Sequence, residues 1–328
     1  MQGLVLQEPG RLTLEDLAVP EPGEGEVLVK VEAATTCGTD LKAYLRGHPQ
    51  IPMPGVLGHE YSGIVVESGQ DAPFVPGQAV MGVHSAPCLH CKWCRRGQEN
   101  LCQSIMSTKV LGSYAEYLLI PARIAALNLF HKPTHLSFPL ASLLEPLACV
   151  AQGIHECLPR HEDKVLIIGP GAIGLMFVAA LRHMGVQDIT LAGRNASRLG
   201  IGERLGAKPE MISGLKGQYD LVIECTGKVE IWEHSLDLVE RGGTLVLFGG
   251  CPGGTTASFD TRKVHYDQIK ILSPFHFGTE AVRQARLLLL EDDFDLSPLL
   301  SGVRSLTEAG KVFEDLEHGR GLKYVFQP

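Results

Sequence analysis

From Met1 to Glu145 the chain alternates short apolar runs with glycine and proline. Examples are Val27-Leu28-Val29-Lys30-Val31, Gly63-Ile64-Val65-Val66 and Gln78-Ala79-Val80-Met81-Gly82-Val83. Runs of this length and punctuation predict an irregular all-β lobe. From Leu147 the rhythm changes. The β-branched segments Val165–Ile168, Ile189–Ala192, Leu221–Glu224, Thr244–Phe248 and Ile269–Leu272 alternate with stretches of helical periodicity. That alternation predicts a doubly wound parallel sheet ending near Gly278. A helical pattern over Glu280–Leu290 follows, and the chain closes on Lys323-Tyr324-Val325-Phe326. The expected fold class is α/β, with no internal repeat or low-complexity tract.

The first of those parallel-type strands, Lys164-Val165-Leu166-Ile167-Ile168, runs into Gly169-Pro170-Gly171-Ala172-Ile173-Gly174 and then an apolar helical stretch, Leu175–Leu181. Glycines there permit the tight turn, the approach of backbone to a pyrophosphate, and close packing of helix on strand. The helix N-terminus faces the phosphates. An Asp or Glu that bonds the ribose hydroxyls is normally found about 20 residues further on. Here the position is Gly193, followed by Arg194, with Arg198 on the next helix. Glycine removes the carboxylate that would repel a 2′-phosphate, and a guanidinium suits pairing with one. NADP is therefore expected in preference to NAD.

Cys88-Leu89-His90-Cys91-Lys92-Trp93-Cys94, then seven residues, then Cys102, is a spacing that lets four thiolates converge on one zinc. Three sulfurs so close are too crowded for unstrained disulfides. A closed Cys₄ site is saturated and holds a lobe together. A catalytic zinc keeps a position open and takes mixed ligands. Cys37 and His59 can supply thiolate and imidazole, and either Glu60 or Glu145 a carboxylate.

With 328 residues, about two domains are expected, and 45% apolar residues suffice for two cores. Twenty-nine basic against 37 acidic residues, a net charge near −8, argue against a nucleic-acid partner. No apolar run approaches the roughly 20 residues that span a bilayer, and Met1–Glu8 lacks a basic signal-peptide region. Nine cysteines without an export signal point to a reducing cytoplasm. Cys149, Cys157, Cys225 and Cys251 are read as small buried residues.

The Gly58-His59-Glu60 signature, the Cys₄ spacing, Glu145-Pro146 and the glycine fingerprint stand in one order along the chain. In this the sequence resembles the zinc-containing medium-chain dehydrogenase/reductase family. Tyr117–Pro121 and Leu143–Cys149 look most like its sorbitol and threonine dehydrogenase branches. The resemblance implies a GroES-like catalytic domain over 1–146, completed by 279–328, and a Rossmann domain over 147–278. It implies two zincs per chain, hydride transfer between a secondary alcohol or polyol and NAD(P), and a homodimer or homotetramer. It also implies that Glu60 and Glu145 can trade places at the metal, that Thr39 passes the alcohol proton onward, and that Asp40 orients a ligand histidine. Many relatives end the proton relay with a histidine five residues after the cysteine, where this chain has Lys42. His48, His84, His90 and Lys109 are read as surface residues. A zinc-free quinone or enone reductase of the same fold, and a noncatalytic zinc-ribbon binding protein, are the competing readings.

Overall fold

The computed structural model describes residues 1–328, which divide into two compact units. The first comprises Met1–Ala148, Phe277–Asp292 and Leu300–Pro328; the second comprises Cys149–His276 and Asp293–Leu299.

The first unit is built on a mixed β-sheet. Its strands run Leu300–Arg304, Lys323–Phe326, Val27–Thr35, Glu60–Ser68, Ala79–Gly82 and Leu129–His131 in spatial order, with Tyr117–Ile120 also pairing with Val27–Thr35. A three-stranded sheet of Arg11–Asp16, Gln2–Glu8 and Gly55–Val56 lies in the same unit. Val27–Thr35 is buried along most of its length, which explains its near-continuous apolar sequence. Tyr61, Tyr114, Phe313 and Phe326 fill the core around it. Register decides what meets at its end: Thr35 pairs with Glu60 on one side and with Val325 on the other. The C-terminal strand and the strand that begins at Glu60 are thereby brought to one point.

The second unit is a six-stranded sheet in the order Lys208–Met211, Asp188–Gly193, Lys164–Ile168, Tyr219–Glu224, Val239–Leu247, Lys270–Leu272. Every pairing is parallel. The chain thus winds outward twice from Lys164–Ile168, and this strand has the second expected strand on one side and the third on the other. Such a switch point leaves a crevice at the carboxyl ends of the strands, the place where open α/β sheets take their ligands.

The edge strand Lys208–Met211 was not among the expected ones. Lys-Pro-Glu-Met is exposed at all four positions and has no β-branched residue, and a proline is tolerated only at such an edge. Asp293–Leu299 groups with the second unit, whereas everything after residue 279 was expected to join the first. Phe294 packs edge-on to His183 with ring centroids 5.6 Å apart, which anchors this stretch. No helix is long and apolar enough to cross a membrane.

Candidate metal centres and nucleotide site

Cys37 follows the strand Val27–Thr35 and caps the helix Gly38–Arg46. Its Sγ accepts from the Thr39 amide at 3.4 Å, and its own amide donates to Asp40 Oδ2 at 3.2 Å. This reciprocal box fixes the sulfur at the helix start. Asp40 is buried; it also accepts from the Tyr114 hydroxyl at 2.7 Å, and its Oδ1 lies 3.4 Å from His59 Nδ1. Burial opposes ionisation of Asp40, yet His59, Tyr114 and the Cys37 amide outweigh it and hold the carboxyl below its ordinary range. With Nδ1 directed at Asp40, His59 keeps Nε2 for a ligand, the arrangement that fixes a metal-binding imidazole. Burial disfavours a protonated His59, but Asp40 and then Cys37 overcome it and raise its pKa well above normal. A cation finds the same negative field.

The ligand atoms of Cys37, His59 and Glu60 all lie within 4.8 Å of one another. A zinc bonded at about 2.0–2.3 Å to each would draw them to within roughly 4 Å, so small side-chain adjustments close the set. Glu60 is fully buried, and Lys323 Nζ donates to both its oxygens at 2.6 Å and to the Thr36 carbonyl at 2.9 Å. The Thr35 hydroxyl also donates to Glu60. Burial raises the Glu60 pKa, Lys323 opposes this, and the charge of Glu145 pushes it up again. For Lys323, burial lowers the pKa, but Glu60 and then Cys37 raise it overall. Glu60 is raised chiefly by burial, and Lys323 because the acidic groups around it outweigh its own burial. A dication would restore the balance, and the donor set therefore fits zinc.

Glu145, in the first turn of the helix Leu144–Cys157, is outside this three-residue set. Its Oε1 lies 3.2 Å from His84 Nδ1, and both side chains are buried. The surface reading of His84 is thus overturned: its ring stands edge-on to His59 at 5.2 Å and to Phe277 at 5.7 Å. Burial, then the proximity of His59, lowers its pKa well below normal. His48 and Lys109 are half-buried, His90 and Lys42 exposed. Thr39 is half-buried.

Cys88, Cys91, Cys94 and Cys102 form the second cluster, again with all ligand atoms within 4.8 Å. None is in a disulfide. Sulfurs at the corners of a zinc tetrahedron with bonds of about 2.3 Å are about 3.8 Å apart. Cys88 and Cys94 are separated by 3.9 Å, and Cys91 and Cys94 by 3.5 Å. The amides of Cys88 and Cys91 donate to Cys102 Sγ at 3.2 Å and Cys88 Sγ at 3.3 Å. Backbone N–H groups pull the Cys91 pKa down to about 6, whereas burial and the neighbouring sulfurs push Cys94 up to about 12. Four thiolates cannot share this space without a cation between them. Glu99, inside the loop, accepts from the Thr279 amide at 2.9 Å and its hydroxyl at 2.5 Å, tying the helix Thr279–Leu290 to the cysteine loop.

In the second unit the fingerprint lies at the switch point. Gly169 has φ +111°, and a Cβ there would come 2.9 Å from Thr226 Cγ2, on the loop after Tyr219–Glu224. That loop is held by Glu224, which accepts from the amides of Thr226 at 2.5 Å and Gly227 at 3.1 Å. Gly171 caps the helix Ala172–His183, and a Cβ there would meet nothing within 4 Å, so the space before this helix is open to a phosphate group. A Cβ at Gly174 would sit 2.1 Å from the Gly169 carbonyl oxygen, which is why helix and turn can pack so closely. Ala172 and Ile173 form the first turn. Gly193 ends its strand, buried, with Arg194 exposed beside it and Arg198 half-buried on the helix Ala196–Arg204. A Cβ at Gly193 would lie 2.3 Å from Pro170 Cδ. Glycine here is thus imposed by the proline of the fingerprint, a reason sequence reasoning did not contain. Cys149, Cys157, Cys225 and Cys251 are partly exposed rather than fully buried.

Two residues of the first cluster went unread in the sequence, Lys323 and Tyr114. A lysine opening the apolar run Lys323–Phe326 was the only trace of the former.

Residues 23–129 match the alcohol dehydrogenase GroES-like domain, and residues 172–291 match the zinc-binding dehydrogenase domain. An L-threonine 3-dehydrogenase of Shewanella sp. (strain ANA-3) is 30% identical over 332 aligned positions, covering 95% of each chain. A zinc-binding dehydrogenase of Sinorhizobium meliloti, solved with NADP bound, superposes with a TM-score of 0.90 at 29% identity, covering 100% of this chain and 99% of that one. An alcohol dehydrogenase of Thermus sp. ATN1 gives a TM-score of 0.89 at 26% identity, with coverage of 100% and 99%.

Two outcomes follow from this geometry. Cys94→Ser is expected to release one zinc equivalent and lower the melting temperature, because a closed site contributes folding free energy directly; metal analysis and a thermal melt check it. Lys323→Met leaves Glu60 buried without its counter-ion and is expected to cost roughly 3–5 kcal/mol. The double variant Lys323→Met/Glu60→Gln is expected to recover part of that loss, measured by urea unfolding.

Proposed function

The chain belongs to the zinc-containing medium-chain dehydrogenase/reductase family, and from this we propose that it is a zinc-dependent dehydrogenase acting on a secondary alcohol or polyol, with NADP as the favoured cofactor. The observation that carries the reading is the buried convergence of Cys37, His59 and Glu60 within 4.8 Å. A zinc bound there would supply Lewis-acid chemistry, lowering the pKa of the substrate hydroxyl. The chain's own residues do the rest. Cys37 and His59 are held by the helix cap and by Asp40, so the ligand geometry exists before substrate arrives. The Thr39 side chain, two residues beyond Cys37, takes the alcohol proton onward, and Lys42 stands where many relatives end that relay in imidazole. Gly169–Gly174 would hold the pyrophosphate of a nicotinamide cofactor, which would supply the acceptor for a hydride from the carbinol carbon. The four sulfurs of Cys88, Cys91, Cys94 and Cys102 would hold a second zinc, whose saturated shell would serve structure and not chemistry. L-threonine carries a secondary alcohol, and the relative that bears its name supports this substrate class. Family membership supports a small-molecule substrate and a cytoplasmic homodimer or homotetramer.

For the cofactor, the missing carboxylate at Gly193 and the exposed guanidinium of Arg194 support a 2′-phosphate, and Arg198 adds positive charge. The NADP carried by the Sinorhizobium meliloti relative is consistent with this reading.

Cys37→Ala is expected to abolish turnover and remove one zinc while nucleotide binding and the fold persist; activity surviving in the metal-free variant would overturn the zinc mechanism. Cofactor choice is tested at Arg194, because aspartate at position 193 collides with Pro170. The unmodified protein is expected to show higher kcat/KM with NADP than with NAD. Loss of one charged hydrogen bond in Arg194→Ala should lower the NADP value roughly 10-fold or more and leave NAD little changed. Equal or better use of NAD by the unmodified protein would refute the assignment.

A further inference from the structure

The chain is acidic overall, with a net charge near −8, yet four basic side chains gather beside the first metal set. Lys42 and Arg46 stand four residues apart on the helix Gly38–Arg46, which Cys37 caps, so they share one face. In the loop that follows, the Gln50 amide donates to His48 Nδ1 at 3.3 Å, and the Gln50 carbonyl accepts from Lys109 Nζ at 2.6 Å. One backbone residue thus holds two of the four. An imidazole that accepts at Nδ1 keeps its proton on Nε2, as a donor. Next to Lys109, the Val110 amide donates to the His84 carbonyl at 2.8 Å, and the His84 ring lies 5.2 Å from that of His59. Lys109 is thereby tied to the surroundings of the candidate ligands.

These charges act on one another. Burial lowers the His48 pKa, and Lys109, Lys42 and Arg46 lower it further. The charge of Lys109 also reaches inward, adding to burial and His59 in lowering the pKa of His84. None of Lys42, Arg46, His48 and Lys109 pairs with a carboxylate. Lys109 is half-buried, which lowers its own pKa, and a single carbonyl answers its ammonium. A half-buried cation among like charges is a place where an anion gains more than it does in water.

We propose that Lys109, with Lys42, Arg46 and His48 around it, forms an anion-recognition subsite beside the Cys37–His59–Glu60 set, so that the substrate is a secondary alcohol bearing a carboxylate or phosphate group. This rests on the reading of that set as the site of alcohol oxidation and narrows its substrate class. The ammonium of Lys109 supplies the charged donor, and the cations on the helix Gly38–Arg46 draw the anion in.

The test measures Kd by ligand-observed NMR on the full-length, zinc-loaded protein with saturating NADPH, so that no alcohol is oxidised. Two pairs of alcohols serve as probes: 3-hydroxybutyrate against 2-butanol for the carboxylate, and sn-glycerol 3-phosphate against glycerol for the phosphate. At least one anionic member is expected to bind roughly 10-fold or more tightly than its neutral partner, as one charged hydrogen bond provides. The pair with the larger preference identifies the anion. Lys109→Met should lose most of that preference, whereas Lys109→Arg keeps the charge and should retain most of it. A metal attracts any anion, so preference that survives Lys109→Met belongs to the metal. Equal binding within both pairs, or an anion preference unchanged in Lys109→Met, would overturn the subsite. Anion binding that depends on Lys109, in a protein with no nicotinamide-linked turnover of any alcohol, would refute the dehydrogenase reading and leave the subsite standing.

Discussion

Lys323 and Glu60 lie more than 260 positions apart in the chain, yet the ammonium sits 2.6 Å from both carboxylate oxygens with scarcely any exposure. The pair can exist only because the strand Val27–Thr35 is flanked in fixed register by Glu60–Ser68 and Lys323–Phe326. A slip by one residue would turn Glu60 to the opposite face and leave a charge buried without a partner. The pair is thus a strong constraint on how the C-terminal segment rejoins the first unit. It also supplies the carboxylate of the candidate catalytic set, so fold and chemistry are specified by the same contact.

Around that contact, negative charge accumulates beyond what the fold alone neutralises. Cys37, Asp40, Glu60 and Glu145 meet one lysine and two histidines; the raised pKa values of His59 and Lys323 express that imbalance, while that of Glu60 is raised chiefly by burial. The four-cysteine cluster shows a related tension, with one sulfur eased towards the thiolate by amides and another kept from it by burial and then by its neighbours. The two clusters differ in what they leave available. Four sulfurs saturate a tetrahedron, whereas one sulfur, one imidazole and one carboxylate do not.

The nucleotide site rests on shape more than on charge. Gly174 and Gly193 each face an atom that any side chain would strike, the Gly169 carbonyl and the Pro170 ring respectively. Gly171 faces open space. One glycine motif therefore serves two physical ends, close packing behind the turn and room in front of it.

The sequence by itself determined whatever depends on local spacing. The four cysteines, the glycine fingerprint with its flanking strand and helix, and the alternation that builds a parallel sheet were all legible, because ligand reach and turn geometry act over a few residues. Cys37 and His59 were legible from their motifs, and the family they imply is the one to which the chain belongs. Tertiary structure alone decided the rest. It brought Glu60 closer than Glu145 to Cys37 and His59 in the candidate set, buried His84 where a surface residue was expected, and set Lys323 on Glu60. It added the edge strand Lys208–Met211, which no apolar pattern announces, and returned Asp293–Leu299 to the second unit. Burial, partner choice and strand neighbours arise from contacts between distant segments, and a one-dimensional pattern carries no record of which segments will meet.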